Sequence, residues 1–244
     1  MSKYVIGIDL GGTFIKAGIV DVKGRMVAKE KVDTCGPEGV DAVIRQIAKA
    51  ASLVQKKAKV ARKDILGVGI GAPGTINIAA GVVTFAPNLP GWRNIALCRK
   101  VQDALRIPTF LENDANAAAY GEKWVGVGQK VDSLVLFTLG TGIGGGIIIN
   151  NEVLHGVNDA AAELGHMTVV IDGVKCGCGN LGCVEAYASV PGMVRRMKEA
   201  VAQGKPSKLA ARIKKGQEIT GKDIHAAAVK GDATARAIIE ETGM

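Results

Sequence analysis

The sequence predicts an α/β protein whose two halves share one plan. Each half opens with a β-branched run that enters a glycine and threonine turn and returns as a second strand-like segment. The two turns are "DLGGT" at 9–13 and "LGTGIGG" at 139–145. Further strand-like and helical segments alternate after each turn, which is typical of the α/β class. We interpret the repeat as an internal duplication of architecture and expect domains at residues 1–114 and 115–244.

Two kinds of pattern predict the elements of the first half. Apolar residues recur at steps of four and three over 38–59, which is typical of an amphipathic helix. β-branched runs that are bounded by turn residues predict strands. The elements expected here are strands 3–10, 16–21, 26–32, 65–74 and 108–114, and helices 38–59, 95–105 and 115–126.

The second half is expected to begin with strands and to end with helices. An uncharged stretch, 133–151, holds five glycines, so it predicts a strand, a turn and a strand rather than a membrane span. A Thr-x-x-Asp pattern at residue 220 resembles a helix capping box. The elements expected are strands 133–140, 146–153 and 166–172, and helices from about residue 184 onward, including 220–231 and 232–242.

Charge and composition exclude some classes of function. The formal charge is +8, but the lysines are scattered singly or in pairs, so the pattern does not favour a nucleic-acid partner. A positive field can still gather an anionic substrate such as a nucleotide. The chain passes directly into strand-like sequence without a signal peptide, and three of its five cysteines are clustered. We therefore expect a cytoplasmic protein with no membrane partner and no disulfide framework.

The two glycine turns are candidate phosphate sites. A tight turn directs several backbone N–H groups into one concavity, and glycine leaves room for a phosphate to approach. A single turn of this kind is more often only a hairpin, but two turns in equivalent places favour a pair that clamps a triphosphate. Gly140, Gly142 and Gly145 also match the dinucleotide fingerprint, but "GIIIN" follows where that motif needs a helix. A P-loop motif is absent from the sequence.

The cysteine cluster predicts a metal site. Its spacing is His166-x9-Cys176-x-Cys178-x4-Cys183, and three thiolates with one imidazole suit tetrahedral zinc. Because all four positions would be occupied by protein ligands, this zinc would brace a loop and would not activate water. The alternative is three free thiols in a tight loop.

Polar residues near the cluster and after one strand are candidates for substrate binding. Glu163, His166 and Glu185 lie in or beside the predicted zinc loop and can hydrogen-bond a polyhydroxy ligand, although each glutamate alone is more often a surface charge. Asp114 ends the stretch "LEND" and can accept a hydroxyl proton in phosphoryl transfer. The alternative is that Asp114 caps the alanine-rich helix that follows.

Together these motifs resemble the ROK family of sugar kinases, within the actin/Hsp70/hexokinase superfamily. "GIDLGGTFIKAGIVD" and "LGTGIGGGI" resemble the two phosphate motifs, and "LENDANAAAYGE" resembles the catalytic-base motif. "ELGHMTV" and "CGCGNLGCVEAYAS" resemble the zinc motif of the family. The stretches "APNLPGW" and "EAYAS" are most similar to those of bacterial glucokinases. The resemblance implies an actin-like/ribonuclease H-like ATPase fold with two domains and a cleft.

The resemblance also implies a function and a role for each motif residue. The implied reaction is ATP-dependent phosphorylation of the 6-hydroxyl of glucose, with Mg²⁺ and a structural Zn²⁺ as metals. Asp114 would take the proton of that hydroxyl, and Asp9 would orient Mg²⁺ through water. The remaining sugar-binding candidates are Gly74, Asn88, Asn113, Glu163, His166 and Glu185. The candidates that would cradle the ATP phosphates are Gly11, Gly12, Thr13, Gly140, Thr141 and Gly142.

One part of the superfamily pattern does not occur in this chain. The adenosine motif, a strand that ends in paired glycines, is expected after the last helices, but the sequence ends at "IIEETGM". We therefore expect the second domain to be incomplete and to expose apolar surface. Sugar binding without turnover is then an alternative to catalysis.

The same family contains proteins with different functions. A sugar-responsive repressor would carry a winged-helix segment before the first phosphate motif, and here only three residues precede Tyr4. A kinase for N-acetylmannosamine, allose or fructose has the same motifs as a glucokinase. Polyphosphate is a less favoured phosphoryl donor than ATP. The family also implies self-association as a dimer or tetramer.

Overall fold

The computed structural model describes residues 3–243 as a mixture of strands and helices. The strands are β1 Tyr4–Leu10, β2 Phe14–Asp21, β3 Met26–Asp33, β4 Ile65–Ala72, β5 Thr75–Asn77, β6 Val82–Phe85, β7 Arg93–Ile95, β8 Thr109–Asn113, β9 Leu134–Leu139, β10 Ile143–Ile149 and β11 Glu152–Val153. The α-helices are α1 Val40–Ala58, α2 Leu97–Leu105, α3 Asp114–Val125, α4 Val184–Ala188, α5 Val190–Ala202, α6 Ala210–Lys214, α7 Gly221–Val229 and α8 Ala233–Thr242.

The largest sheet has five strands in the order β3-β2-β1-β4-β8. β1, β2 and β3 are antiparallel neighbours, whereas β1, β4 and β8 run parallel. Asp9 of β1 pairs with Gly71 of β4, and Gly71 pairs with Glu112 of β8. Because the carboxyl ends of parallel strands meet at one edge, the segments after these three strands lie along the same edge of the sheet.

The core around this sheet is mostly aliphatic, and Trp92 is the aromatic residue that lies fully buried in it within residues 3–243. Alternate residues of β1 and β2 are buried, and α1 packs on β2 and β3 through a continuous apolar stripe. Trp92 is only 1% exposed and joins the same core from the loop before β7. The loop that holds "APNLPGW" is therefore anchored to the sheet by its aromatic end.

The residues gather into two compact units. One comprises the chain up to Leu136 together with Gly146–Ala162, and the other comprises Phe137–Gly145 together with the chain from Glu163 onward. The boundary between them passes through β9 and β10. A division after residue 114, which follows the duplicated motifs, stays a prediction.

The sheet built by the second glycine turn has three strands in the order β11-β10-β9. Within residues 3–243, β9 pairs along one side only, and Val135, Phe137 and Leu139 are 58%, 47% and 74% exposed. The expected exposure of apolar surface is therefore confirmed. The predicted strand 146–153 is divided, because Asn150 and Asn151 adopt left-handed backbone angles and form a turn between β10 and β11.

The later helices form a second apolar cluster. Met197, Val201, Ile224 and Ile238 are buried together between α5, α7 and α8. Thr220 accepts a hydrogen bond from the backbone N–H of Asp223, and the Asp223 carboxylate accepts one from the Thr220 backbone, so the predicted capping box is confirmed. No helix between residues 3 and 243 combines the length and the apolar character that crossing a membrane requires.

The predicted strand 166–172 is wrong. A short 3₁₀ turn covers Leu164–His166, and Thr168 makes only an isolated bridge to Cys183. The backbone N–H groups of Val169 and Val170 both point at the carbonyl of Gly182, and Ile171 is 87% exposed. β-branched residues favour strands only where a partner strand and a packed face are present, and this loop offers neither.

The sequence patterns also missed a small sheet in the first half. β5, β6 and β7 form an antiparallel sheet of three short strands, and α2 begins at Leu97, two residues after the last of them. Strands of three or four residues are too short to show a hydrophobic period.

Replacing Thr220 by Ala is expected to lower the free energy of unfolding by about 1 kcal/mol, because the first turn of α7 loses a backbone cap. Chemical denaturation measures this change. Lys222→Ala, an exposed change in the same turn, is the matched control and is expected to leave stability nearly unchanged. Equal stability of Thr220→Ala and the parent chain would show that the cap contributes nothing.

The same cap predicts a stability change in acid. Hydrogen bonds from Arg212 and Thr220 lower the pKa of Asp223 from 3.8 to about 2. A carboxyl whose pKa is lower in the folded state stabilises the fold above pH 3.8 and loses that contribution as the pH falls through about 2. The stability difference between the parent and Asp223→Asn is therefore expected to shrink between pH 4 and pH 2. A difference that is constant over this range would contradict the assignment.

Candidate functional site

The first glycine turn is closed by the strand that follows it. The N–H of Gly11 donates to the carbonyl of Phe14 at 3.1 Å, and the buried Thr34 hydroxyl donates to the Gly11 carbonyl at 2.7 Å. Within residues 3–243, neither Gly12 nor Thr13 donates its backbone N–H to another protein group. The turn therefore presents two successive amide donors from a fixed loop, which is what an anion site needs.

Asp9 lies beside this turn at the end of β1. The Nζ of Lys16 is 2.8 Å from its Oδ2 atom, and the two residues are directly opposite each other on β1 and β2. Both side chains are more than half exposed. The alternation of side chains along the predicted strands was the signal that could have paired Lys16 with Asp9, but the sequence motifs did not single it out.

The loop after β4 depends on a glycine. Gly74 has a φ of +87°, and a Cβ atom there would lie 2.1 Å from the carbonyl oxygen of Phe85. Asn88 is exposed in a different loop, between β6 and β7, and its carbonyl oxygen would lie 3.0 Å from a Cβ atom added at Gly12. The structure therefore brings Asn88 against the first glycine turn.

Asp114 is the first residue of α3 and directly follows β8. It is exposed, and its Oδ1 atom accepts a hydrogen bond from the Ala115 N–H at 2.9 Å. The expected alternative, that Asp114 is the helix cap, is corrected: Asn113 is the N-cap residue and accepts from the N–H groups of Ala115 and Asn116. The Asp114 carboxylate is exposed at the helix N-terminus, beside the Asn113 cap.

The second glycine turn is held by a glutamate. The N–H of Gly140 donates to the carbonyl of Gly142 at 2.9 Å, and the N–H of Ile143 donates to Glu185 Oε2 at 2.8 Å. A Cβ atom at Gly142 would lie 2.5 Å from the same oxygen. The structure therefore places Glu185 against this turn, which the sequence did not indicate. Among the described residues, the backbone N–H groups of Thr141 and Gly142 have no protein acceptor.

The four predicted metal ligands form one cluster. Their donor atoms all lie within 4.8 Å of one another, with 3.8 Å between Sγ of Cys178 and Sγ of Cys183. Nδ1 of His166 is 3.7 Å from Sγ of Cys176. A zinc–sulfur bond of about 2.3 Å in a tetrahedron separates the donor atoms by about 3.8 Å, so the donor set and its spacing fit zinc.

The environments of the thiols differ. Burial raises the pKa of Cys176 to about 12 and also raises that of Cys183, whereas the backbone N–H of Asn180 lowers the pKa of the exposed Cys178. A divalent cation favours the thiolate forms and releases their protons on binding.

Comparisons with known proteins agree on a family. A family model described as "ROK family" matches residues 5–244. The chain belongs to the ROK family. A glucokinase of Halalkalibacterium halodurans is 38% identical over 239 residues, which are 98% of this chain and 72% of that protein. A xylose repressor of Caldicellulosiruptor bescii is 36% identical over 237 residues, which are 97% of this chain and 59% of that protein.

A solved structure supports the fold. The ROK family glucokinase of Streptomyces griseus, in complex with glucose and AMPPNP, superposes with a TM-score of 0.79 and 41% identity. The match covers 96% of this chain and 74% of that chain. The predicted α/β class with an actin-like/ribonuclease H-like ATPase fold is confirmed.

The ROK motif residues divide between the two compact units. Asp9, the first glycine turn, Gly74, Asn88, Asn113 and Asp114 belong to the unit that contains the five-stranded sheet. The second glycine turn, Glu163, His166 and Glu185 belong to the unit that contains the cysteine cluster. Glu163 is exposed and directly precedes the 3₁₀ turn that carries His166. Sequence reasoning missed Glu112 and His155, which contact each other in the first unit.

The cysteine cluster predicts a metal content. After loading with zinc and exhaustive dialysis, the chain is expected to retain about one zinc per molecule, and Cys178→Ser is expected to retain far less, because three donors hold zinc more weakly than four. Cys98→Ser, a free cysteine outside the cluster, is the matched control and is expected to retain the metal. Elemental analysis measures the ratio. Full zinc retention by Cys178→Ser would contradict the four-ligand site.

Proposed function

We propose that this chain is an ATP-dependent sugar kinase that transfers the γ-phosphoryl group to the 6-hydroxyl of glucose. The observation that carries the proposal is the position of Asp114, an exposed carboxylate at the junction of β8 and α3. Phosphoryl transfer needs a base that orients the attacking hydroxyl and accepts its proton. Asp114 is proposed as that base.

Hydroxyl recognition is proposed for exposed or half-buried polar groups near that base and near the zinc cluster. Gly74 allows the tight turn between β4 and β5, and Asn88 and Asn113 would supply side-chain amides that hydrogen-bond the sugar hydroxyls. Glu163, His166 and Glu185 supply further acceptors and donors. The Glu185 carboxylate already accepts the Ile143 N–H, but a carboxylate has about four acceptor positions, so it can accept a sugar hydroxyl as well.

Phosphate recognition is proposed for the two glycine turns. The backbone N–H groups of Gly12 and Thr13, and of Thr141 and Gly142, are donors without protein acceptors among the described residues. Gly11 and Gly140 fix the turns through their own hydrogen bonds. Charge neutralisation by Mg²⁺ would be supplied near Asp9, a half-exposed carboxylate at the carboxyl end of β1.

A structural role is proposed for zinc. The segment from His166 to Cys183 has few apolar side chains in the core, and its fold consists of turns and isolated bridges. Zinc would hold His166 and the start of α4 in place, so that Glu185 stays against the second glycine turn.

Two related functions are kept as alternatives. A Listeria monocytogenes structure described as an N-acetylmannosamine kinase covers 99% of this chain at 27% identity, so another hexose or an N-acylhexosamine is a candidate substrate. The similarity to a xylose repressor supports a sugar-binding module without turnover as the second alternative. A cytoplasmic location and assembly into a dimer or tetramer remain predictions.

Asp114→Asn is expected to lower the rate of ADP formation by a factor on the order of 100 to 10,000, because the variant cannot accept the hydroxyl proton. A coupled assay with glucose, ATP and Mg²⁺ measures the rate, and calorimetry is expected to show that glucose still binds. The matched control is Asp103→Asn, an exposed aspartate on α2, with an expected rate close to that of the parent chain.

The outcomes separate the candidate functions. Near-normal turnover by Asp114→Asn would overturn the assignment of the base. Turnover by the parent with a hexose other than glucose would keep the kinase and change the substrate. Glucose binding by the parent without turnover would favour the sugar-binding module.

A further inference from the structure

We propose that Glu112 and His155 form a positioning pair that holds the strand–helix junction carrying Asp114. Glu112 lies within the "LEND" stretch but has been given no role above, and His155 lies outside all of the quoted motifs. The inference rests on the proposed function, since it concerns the alignment of the proposed base. Its evidence is a set of hydrogen bonds within one compact unit.

The Glu112 carboxylate uses both oxygens. Its Oε1 atom accepts from the backbone N–H of Asn113 at 2.9 Å and from Nδ2 of Asn116 at 3.2 Å. These donors lie on both sides of Asp114 in the sequence. One oxygen of Glu112 therefore joins the last strand residue to the first turn of α3, and a negative charge there also favours the helix N-terminus.

The other oxygen is held by the loop after β11. Nε2 of His155 lies 2.9 Å from Oε2 of Glu112. An ionised carboxylate can only accept, so the ring nitrogen donates. With both oxygens engaged, rotation of the Glu112 side chain is restricted, and its bonds to Asn113 and Asn116 keep one geometry.

Asn116 depends on this arrangement. Its side chain is 2% exposed, and in residues 3–243 its Oδ1 atom has no hydrogen-bond partner. The amide is therefore oriented by the bond from its Nδ2 atom to Glu112. Loss of that bond would leave the buried Nδ2 group of Asn116 without a partner. The first turn of α3 would then have to shift to find another partner for it.

The loop that supplies His155 is itself fastened. Its ends approach each other through the hydrogen bond from the Ala161 N–H to the His155 carbonyl at 3.0 Å. Farther along, Oδ2 of Asp159 accepts from the backbone N–H of Ile78 at 2.9 Å, next to β5. Two hydrogen bonds therefore fix the loop that carries His155, and the loop holds its side chain against Glu112.

A purely structural role for this pair would have a small effect. The side chains of His155 and Glu112 are 34% and 27% exposed, and pairs near the surface contribute little to the stability of the fold. A positioning role has a larger effect on rate, since a displacement of about 1 Å at a reacting group can cost about 100-fold. Rate and stability therefore distinguish the two roles.

The test compares His155→Ala and His155→Gln with the parent chain, with His225→Ala on the exposed side of α7 as the matched control. We expect His155→Ala to lower kcat about tenfold or more while KM for glucose and the melting temperature change little. His155→Gln retains an amide donor and is expected to recover most of kcat. A Glu112→Gln and His155→Ala double variant is expected to be no worse than the poorer single variant, because both changes act through one contact.

Hydrogen exchange provides a readout that does not need turnover. The amides of Ala115 and Asn116, which Asn113 caps, are expected to exchange faster in His155→Ala and at the parent rate in His225→Ala. Unchanged exchange at these amides would overturn the inference even if the chain is an active kinase. Faster exchange in a chain without turnover would support the positioning pair while the proposed function fails. The inference would also be overturned if His155→Ala lowered the melting temperature as well as kcat and His155→Gln recovered neither.

Discussion

The parallel pairing of β1, β4 and β8 is the constraint on which the first unit depends. It places Asp9, Gly71 and Glu112 in one row across three strands, and the turns that follow these strands lie along one edge. Gly71 in the middle of the row has no side chain, and a Cβ atom there would lie 3.4 Å from the Cα atom of Asp114. The first residue of α3 can therefore pack closely against the sheet at Gly71. The proposed base is held by the backbone of a strand and a helix rather than by a flexible loop.

Carboxylates that are engaged at both oxygens hold the polar parts of each unit. In the first unit Glu112 connects the strand–helix junction with His155, and in the second unit Glu185 contacts the amide of Ile143 and approaches Cys176. Glycine turns and the cysteine loop contain few apolar side chains, so hydrophobic packing contributes little to holding them. The hydrogen bonds of Glu112 and Glu185 hold these segments instead. The cysteine cluster is proposed to do the same for a loop whose β-branched residues are exposed.

Much of the fold could be predicted from local patterns. The long helix α1 and the capping box of α7 are determined by apolar periodicity and by side chains three residues apart, which act within one element. The strand predicted at 166–172 failed because strand formation needs a partner strand, and β5 to β7 were missed because strands of three or four residues are too short to show a hydrophobic period. The strand propensity of a local segment does not specify which other strand it will pair with.

The sequence by itself determined the candidate site residues of this ROK protein: two glycine turns, the Asn113–Asp114 pair and four residues of metal-ligand type. These depend on residue type and short spacing, which are visible in one chain. Only the tertiary structure decided that Glu185 supports the second glycine turn and that His155 contacts Glu112. These contacts join residues as far as 43 positions apart, and they form because strand pairing and loop closure bring the side chains together.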